Sequence, residues 1–333
     1  MSAPETSPEP ARNGSTDQIV ADAVDGNWVD TRAPASWRPW LRLARLDRPA
    51  GTWLLLIPCW WGLALAIAAD PASATLYDLW IAVGCGIGAL LMRSAGCAWN
   101  DLTDRNYDGK VERTKLRPIP AGQITPEGAF LFACGLSILA FFVLLTFNLF
   151  TIVLACASLG LVAIYPFAKR FTWWPQVFLG LAFNWGALVG WSAHTGSLGW
   201  PPILLYCAGI AWTLFYDTIY AHQDIEDDAL IGVKSTARLF GEASPRWLFG
   251  FLVTSVSFLG AAAILALAPG GQGLGVAAAL LGVWAFGWHL AMQLRRVDID
   301  VPEVCMQVFR TNREAGCLPV AGFCLAALAS GLA

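Results

Sequence analysis

Apolar residues in this chain do not alternate or fall into narrow stripes. They come in long runs, and a bilayer core needs about 20 apolar residues per helix. Nine runs meet that length, at roughly 50–69, 77–98, 128–147, 150–168, 174–193, 201–222, 246–268, 272–293 and 316–332. Pro201-Pro202 and Pro269-Gly270-Gly271 mark breaks between them. The pattern predicts an all-α, multi-pass membrane protein with about nine transmembrane helices.

The polar connections orient the set. Lys and Arg collect in the N-terminal segment (Arg12, Arg32, Arg38, Arg42, Arg45, Arg48) and the 2–3 loop (Arg105, Lys110, Arg113, Lys115, Arg117). They recur at 4–5 (Lys169, Arg170), at 6–7 (Lys234, Arg238, Arg246) and at 8–9 (Arg295, Arg296, Arg310, Arg313). With an odd number of spans these segments share one face, and the positive-inside rule makes that face cytoplasmic. The remaining basic residue, Arg93, lies inside the second predicted span.

Composition agrees with this reading. The chain is 56% hydrophobic and 14% charged, where soluble domains carry about 25% charged residues. A net charge of -3 gives no argument for a nucleic-acid partner. The nine Cys include no CxxC pair and read as small hydrophobes. Residues 1–36 are rich in Pro, Ser, Ala and acid, and are expected to form a disordered tail ahead of a membrane domain over 37–333. The tail has too little Arg for a transit peptide and no apolar core for a signal peptide, so a bacterial inner membrane is expected.

Two acidic clusters break the pattern. "NDLTDRNYD" places Asn100, Asp104 and Asp108 four residues apart, along one face of a helix. Like charges at that spacing repel, which calls for a cation. "YDTIYAHQDIEDD" repeats the spacing with Asp224 and Asp228, and Asp217 lies two turns before Asp224. Both clusters follow even-numbered spans, so both face the cytoplasm. Ordinary solvated loops would explain one cluster; two alike on one side point to a site. Two rows of oxygen ligands across a cavity suit Mg²⁺, which typically shares substrate phosphates with one or two carboxylates.

Cations accompany the acids. Tyr165 and Lys169 stand at i,i+4 in "YPFAK", and Arg113 and Lys234 follow the two clusters. Arg and Lys are the residues that recognise phosphate. The positive-inside rule is enough to explain Lys115, Arg170 and Arg238. Arg93 is a buried ionisable group in a span, a candidate for substrate binding or for an ion pair with the aspartates. His194, His222 and His289 show no ligand spacing and read as structural. Metal ligands, phosphate-binding cations and an apolar wall together suggest a prenyl diphosphate. Metal ions neutralise a departing diphosphate, and aromatic faces stabilise an allylic cation.

The segments "RLDRPAGTWLLLIP" (45–58), "NDLTDRNYDGKVERTKLRP" (100–118), "YPFAK" (165–169) and "DTIYAHQDIEDDALIGVKSTA" (217–237) resemble the UbiA-type intramembrane aromatic prenyltransferases. The wording of the second acidic motif favours the hydroxybenzoate branch. The resemblance implies a helical fold around a central cavity, Mg²⁺ as cofactor, and prenyl transfer to position 3 of 4-hydroxybenzoate in ubiquinone biosynthesis. It implies metal and diphosphate binding by Asn100, Asp104, Asp108, Asp224 and Asp228. It matches Tyr165 and Lys169 to a YxxxK element whose Lys grips diphosphate and Arg113 to a diphosphate-binding Arg, and places Arg93 near the acceptor; Lys234, after the second cluster, is a further substrate-binding candidate. Asp217 or Asp224 would take the ring proton. Other readings are transfer to homogentisate or a naphthoate, a divalent-cation transporter, and a phosphatidyltransferase whose motif "DGKVER" (108–113) only grazes.

Overall fold

The computed structural model describes residues 23–24, 26–109 and 114–331. Its framework is a set of long helices: α1 (Ala50–Ala69), α2 (Leu76–Asp108), α3 (Pro126–Leu144), α4 (Leu149–Phe171), α5 (Pro175–Thr195), α6 (Trp200–Ala221), α7 (Ser244–Leu267), α8 (Gly273–Arg296) and α9 (Asn312–Gly331). Among the described residues eight helices are long and apolar enough to cross a membrane, one fewer than the nine spans expected from sequence. The exception is α5, which is as long as the others but carries the buried polar residues Gln176, Asn184 and Ser192. Its neighbours α1, α4 and α6 shield it, so it can carry polar groups that a lipid-facing helix could not.

The ends of α5 show that it runs the full depth of the bundle. At one end, Gln176 accepts a hydrogen bond from the Thr236 amide at 3.2 Å, and the Lys234 amide donates to the Lys169 carbonyl at 3.1 Å. At the other, His194 Nδ1 meets Asp78 at the start of α2 at 2.7 Å, and its Nε2 meets Ser73 at 2.9 Å. The histidines expected to be structural all have side-chain partners: His222 bonds Ser244 at 2.9 Å and His289 bonds Gln293 at 3.1 Å.

Glycines let α1 and α5 approach closely, as small residues do between membrane helices. A Cβ on Gly190 would lie 1.9 Å from the Cys59 carbonyl oxygen, whereas one on Gly88 would meet nothing within 4 Å. Gly190→Ala is therefore expected to cost about 3 kcal/mol through overpacking, read as a lower melting temperature in detergent, while Gly88→Ala leaves it unchanged. The core on the other side of α1 is aromatic. Trp61 and Trp212 have ring centroids 5.0 Å apart. Their indole N–H groups donate to the Gly316 carbonyl at 2.8 Å and the Asn312 side chain at 2.9 Å, fixing α9 to the bundle.

Three features position the site. The helix α2 has 33 residues, about 50 Å at 1.5 Å per residue, so it outruns the membrane and carries the first acidic cluster as continuous helix. The chain after α6 turns through a short 3₁₀ segment, His222–Asp224, into helix Ile225–Ile231, which carries the second. The N-terminal helix Arg38–Leu43 ends with the Leu46 amide bonded to the Leu41 carbonyl and the Arg45 amide to that of Arg42, both at 3.0 Å. This is a Schellman ending, and Arg45 stands at its left-handed position with φ 59°. A further helix, Trp28–Thr31, lies inside the stretch expected to be disordered; Asp30 in it bonds Arg42 at 2.7 Å.

Candidate active site

A cavity of about 870 Å³ opens where α2, α4 and α6 end together. From the first cluster Asn100 lines it, and from the second Asp217, Asp224 and Asp228. Tyr165 and Lys169 of α4, Arg93 of α2 and Lys234 also contribute to its wall. The two motifs, more than a hundred residues apart in sequence, thus face one volume. Trp53, Phe183, Tyr216, Tyr220 and Phe309 form the aromatic part of the lining.

Asp104 and Asp108 sit on the same helix as Asn100 but are held in ion pairs. Asp104 is 1% exposed and accepts from Lys169 Nζ at 2.5 Å and from Arg170 Nη2 at 3.5 Å. Asp108 accepts from Arg117 Nη1 at 2.9 Å. Arg170 also lies over the rings of Phe167 and Tyr107, at 4.9 and 5.2 Å, which fits its reading as a structural residue. Lys234 Nζ donates to the Phe171 carbonyl at 3.4 Å. Arg113 lies outside the described residues.

Arg93 is set deeper in the membrane. Its guanidinium carbon is 5.3 Å from the centre of the Phe183 ring. Its Nε would lie 2.6 Å from a Cβ at position 51, so the glycine of "RPAG" is what leaves room for it. Arg93 does not pair with the acidic row on its own helix; among the described residues those carboxylates have Lys169, Arg170 and Arg117 as partners.

Sequence reasoning missed one layer. Arg45, Asp47, Arg48 and Arg117 also line the cavity, and Asp101 lies directly behind them, fully buried. Asp47 accepts from Arg48 at 2.9 Å. Burial pushes the Asp47 carboxyl up to about 6, with Arg45 pulling the other way. Burial, then the charge of Arg117, pushes the Arg48 guanidinium down to about 10. The segment "RLDRP" held the signal, since it sets three charges beside a membrane span.

Among the described residues no three His, Cys, Asp or Glu side chains converge on a point that would hold a metal by themselves. The donor set fits Mg²⁺ in another way. Asn100, Asp224 and Asp228 offer only hard oxygen ligands, with Lys169 and Lys234 beside them for an anion. That suits an ion which completes its shell with substrate phosphate oxygens and water.

Known proteins resemble this chain in sequence and in fold. Residues 55–313 match the model of the UbiA prenyltransferase family. The chain is 50% identical over 299 residues to "4-hydroxybenzoate polyprenyltransferase, mitochondrial" of Bos taurus, covering 89% of this chain and 77% of that protein. It is 47% identical over 324 residues to the Homo sapiens protein of the same name, covering 97% and 82%. Its fold is similar to that of a UbiA homolog from Archaeoglobus fulgidus bound to GPP and Mg²⁺, with TM-score 0.65 and 19% identity over 86% of this chain and 99% of that one. The apo UbiA homolog from Aeropyrum pernix K1 gives TM-score 0.62 and 22% identity, over 81% and 96%. A family model that spans most of the length, on a chain sharing half its residues with such relatives, settles the kinship: this chain belongs to the UbiA prenyltransferase family.

Proposed function

We propose that this protein transfers a polyprenyl group from polyprenyl diphosphate to position 3 of 4-hydroxybenzoate, as a step of ubiquinone biosynthesis. The observation that carries the reading is the single cavity lined by both acidic clusters, Lys169 and an aromatic wall. Its relatives at 47–50% identity are named for this activity. The protein is a multi-pass membrane protein. The bacterial setting expected from the tail has no support in those relatives, which are named as mitochondrial. The proposed location is therefore an inner membrane, of whichever origin, with the site on the face where Lys and Arg collect.

In this reading Asn100, Asp224 and Asp228 hold Mg²⁺, and Asp104 and Asp108 complete the first row. The ion supplies Lewis-acid neutralisation of the charge that builds on the leaving diphosphate. Lys169 moves from Asp104 towards the diphosphate, which Lys234 and Arg113 also grip, and Tyr165 stands beside it. The aromatic lining stabilises the allylic cation left when the C–O bond breaks. Its low-polarity wall keeps water from the cation. Arg93, beside Phe183, orients the acceptor's carboxylate. The ring carbon ortho to the hydroxyl forms the new C–C bond, and Asp217 or Asp224 takes the displaced ring proton.

Lys169→Ala removes one charge-assisted contact to phosphate, worth about 1.5–3 kcal/mol. The KM for prenyl diphosphate is then expected to rise about 10- to 100-fold, with the KM for 4-hydroxybenzoate within twofold. A change confined to the aromatic substrate would contradict this role. The function itself is tested by mass spectrometry of products from purified protein, Mg²⁺, prenyl diphosphates of several lengths and a panel of acceptors. Prenylated 4-hydroxybenzoate is expected; product from homogentisate or a naphthoate alone would refute the choice of acceptor.

A further inference from the structure

The connection between α8 and α9 folds as a short amphipathic helix, Pro302–Arg310, which packs on α6 and on the 3₁₀ segment His222–Asp224. Cys305 and Val308 are its buried residues. Phe309 differs from them: it is half-buried and lines the cavity. Its ring centre lies 4.8 Å from that of Tyr220 and 5.9 Å from that of Tyr216. Tyr220 lines the cavity as well, about one helical turn after Asp217 and one before Asp224. It thus stands between a candidate proton acceptor and a candidate metal ligand, and Phe309 packs on it from a separate segment.

The place of Phe309 is fixed by a second set of contacts. Asn312 is fully buried. Its Nδ2 donates to the Val308 and Phe309 carbonyls at 3.3 and 3.2 Å, and its Oδ1 accepts from the Trp212 indole of α6 at 2.9 Å. A buried amide bonded on both sides holds its neighbours in one arrangement. A Phe serving only the core would be closed off like Phe286 and Phe323, both 0% exposed. Phe309 instead is held firmly with part of its surface open to the site.

We propose that Phe309 is a catalytic residue, whose ring face receives the positive charge of the allylic carbon as the diphosphate departs. This role presupposes the proposed function, since only a departing diphosphate leaves such a cation. When the C–O bond breaks, its electron pair leaves with the diphosphate. The pair that refills the carbon comes from the acceptor ring, and the displaced ring proton goes to Asp217 or Asp224. Phe309 gains and loses no atom. The negative face of its quadrupole attracts the cation between those two events.

Graded fluorination of the ring tests this, because fluorine drains the π face while barely changing its size. Phe309 is replaced in turn by 4-fluoro-, 3,5-difluoro- and 3,4,5-trifluorophenylalanine. The single-turnover rate of transfer to 4-hydroxybenzoate with Mg²⁺ is expected to fall stepwise, by about tenfold at the third fluorine. The Kd for geranyl thiolodiphosphate, a non-ionising analogue that forms no cation, is expected to stay within about twofold along the series. Equal rates along the series overturn the catalytic role, as does a Kd that weakens in step with the rate. Phe309→Leu keeps an apolar side chain without a π face, and is expected to slow transfer about tenfold as well. A rate within about twofold of wild type in folded Phe309→Leu overturns the role too. Failure of the wild-type protein to prenylate any acceptor would instead refute the proposed function.

Discussion

Asp228→Ala is expected to lower kcat for prenyl transfer on the order of 10³-fold while the protein stays folded. Asp228 is partly exposed on helix Ile225–Ile231 at the cavity mouth, away from the packed core. Its loss should therefore cost little stability. It removes an oxygen ligand placed where leaving-group charge develops, and a single preorganised group of that kind is worth about 10²–10³ in rate. Asp224→Ala should behave alike. Glu303→Gln, on the exposed first turn of helix Pro302–Arg310, serves as the control and should leave kcat unchanged. Steady-state turnover together with melting temperature separates the cases. Turnover within tenfold of wild type in folded Asp228→Ala would count against the metal reading.

Removing divalent metal should have a still larger effect. With EDTA in excess, transfer is expected to fall below detection and the affinity for prenyl thiolodiphosphate to fall about 100-fold, on the order of 3 kcal/mol. Mg²⁺ added back should restore both. The size follows from charge: Asp217, Asp224 and Asp228 line the same volume that is to receive a diphosphate. Without a cation between them, like charges at short range in a membrane-embedded site oppose binding. The same experiment separates an enzyme from a transporter. A transporter would move Mg²⁺ across proteoliposomes without any prenyl substrate, and its affinity for the metal would not depend on diphosphate. Full activity in EDTA would remove the reason for two acidic rows.

How much of this was legible in the sequence depended on what surrounds each element. The apolar run at 50–69 gave α1 residue for residue, because hydrophobicity begins and ends with the helix. The run at 77–98 stopped ten residues short of the end of α2. Beyond the apolar run the helix is held by ion pairs of Asp101, Asp104 and Asp108 with arginines and a lysine, which hydropathy does not register. The run expected at 174–193 does fall on α5, although that helix is not apolar enough to be counted among the eight. Asn184 is buried and bonds the Gly180 carbonyl and the Thr213 hydroxyl at 2.9 and 2.8 Å, so a polar group inside the bundle lowers the apolarity of a helix that still runs from face to face.

The site divides in the same way. Spacing identified Asn100, Asp224 and Asp228, because i,i+4 rows on helices place side chains on one face, and all three line the cavity. It could not show that Asp104 is already engaged by Lys169, since that contact joins residues 65 apart in sequence. It also passed over Asp101, whose partners Arg45 and Arg117 come from two other segments. Pairing of that kind is decided by tertiary structure, not by periodicity.

The proposed function requires the acidic rows of α2 and of the segment after α6 to grip one diphosphate through shared metal. Crystals of the protein grown with Mn²⁺ and geranyl thiolodiphosphate would show this in an anomalous difference map. Manganese peaks between Asn100 and the Asp224–Asp228 pair, in contact with the diphosphate, are the predicted result. Peaks on one row only, or a diphosphate seated away from both, would contradict it.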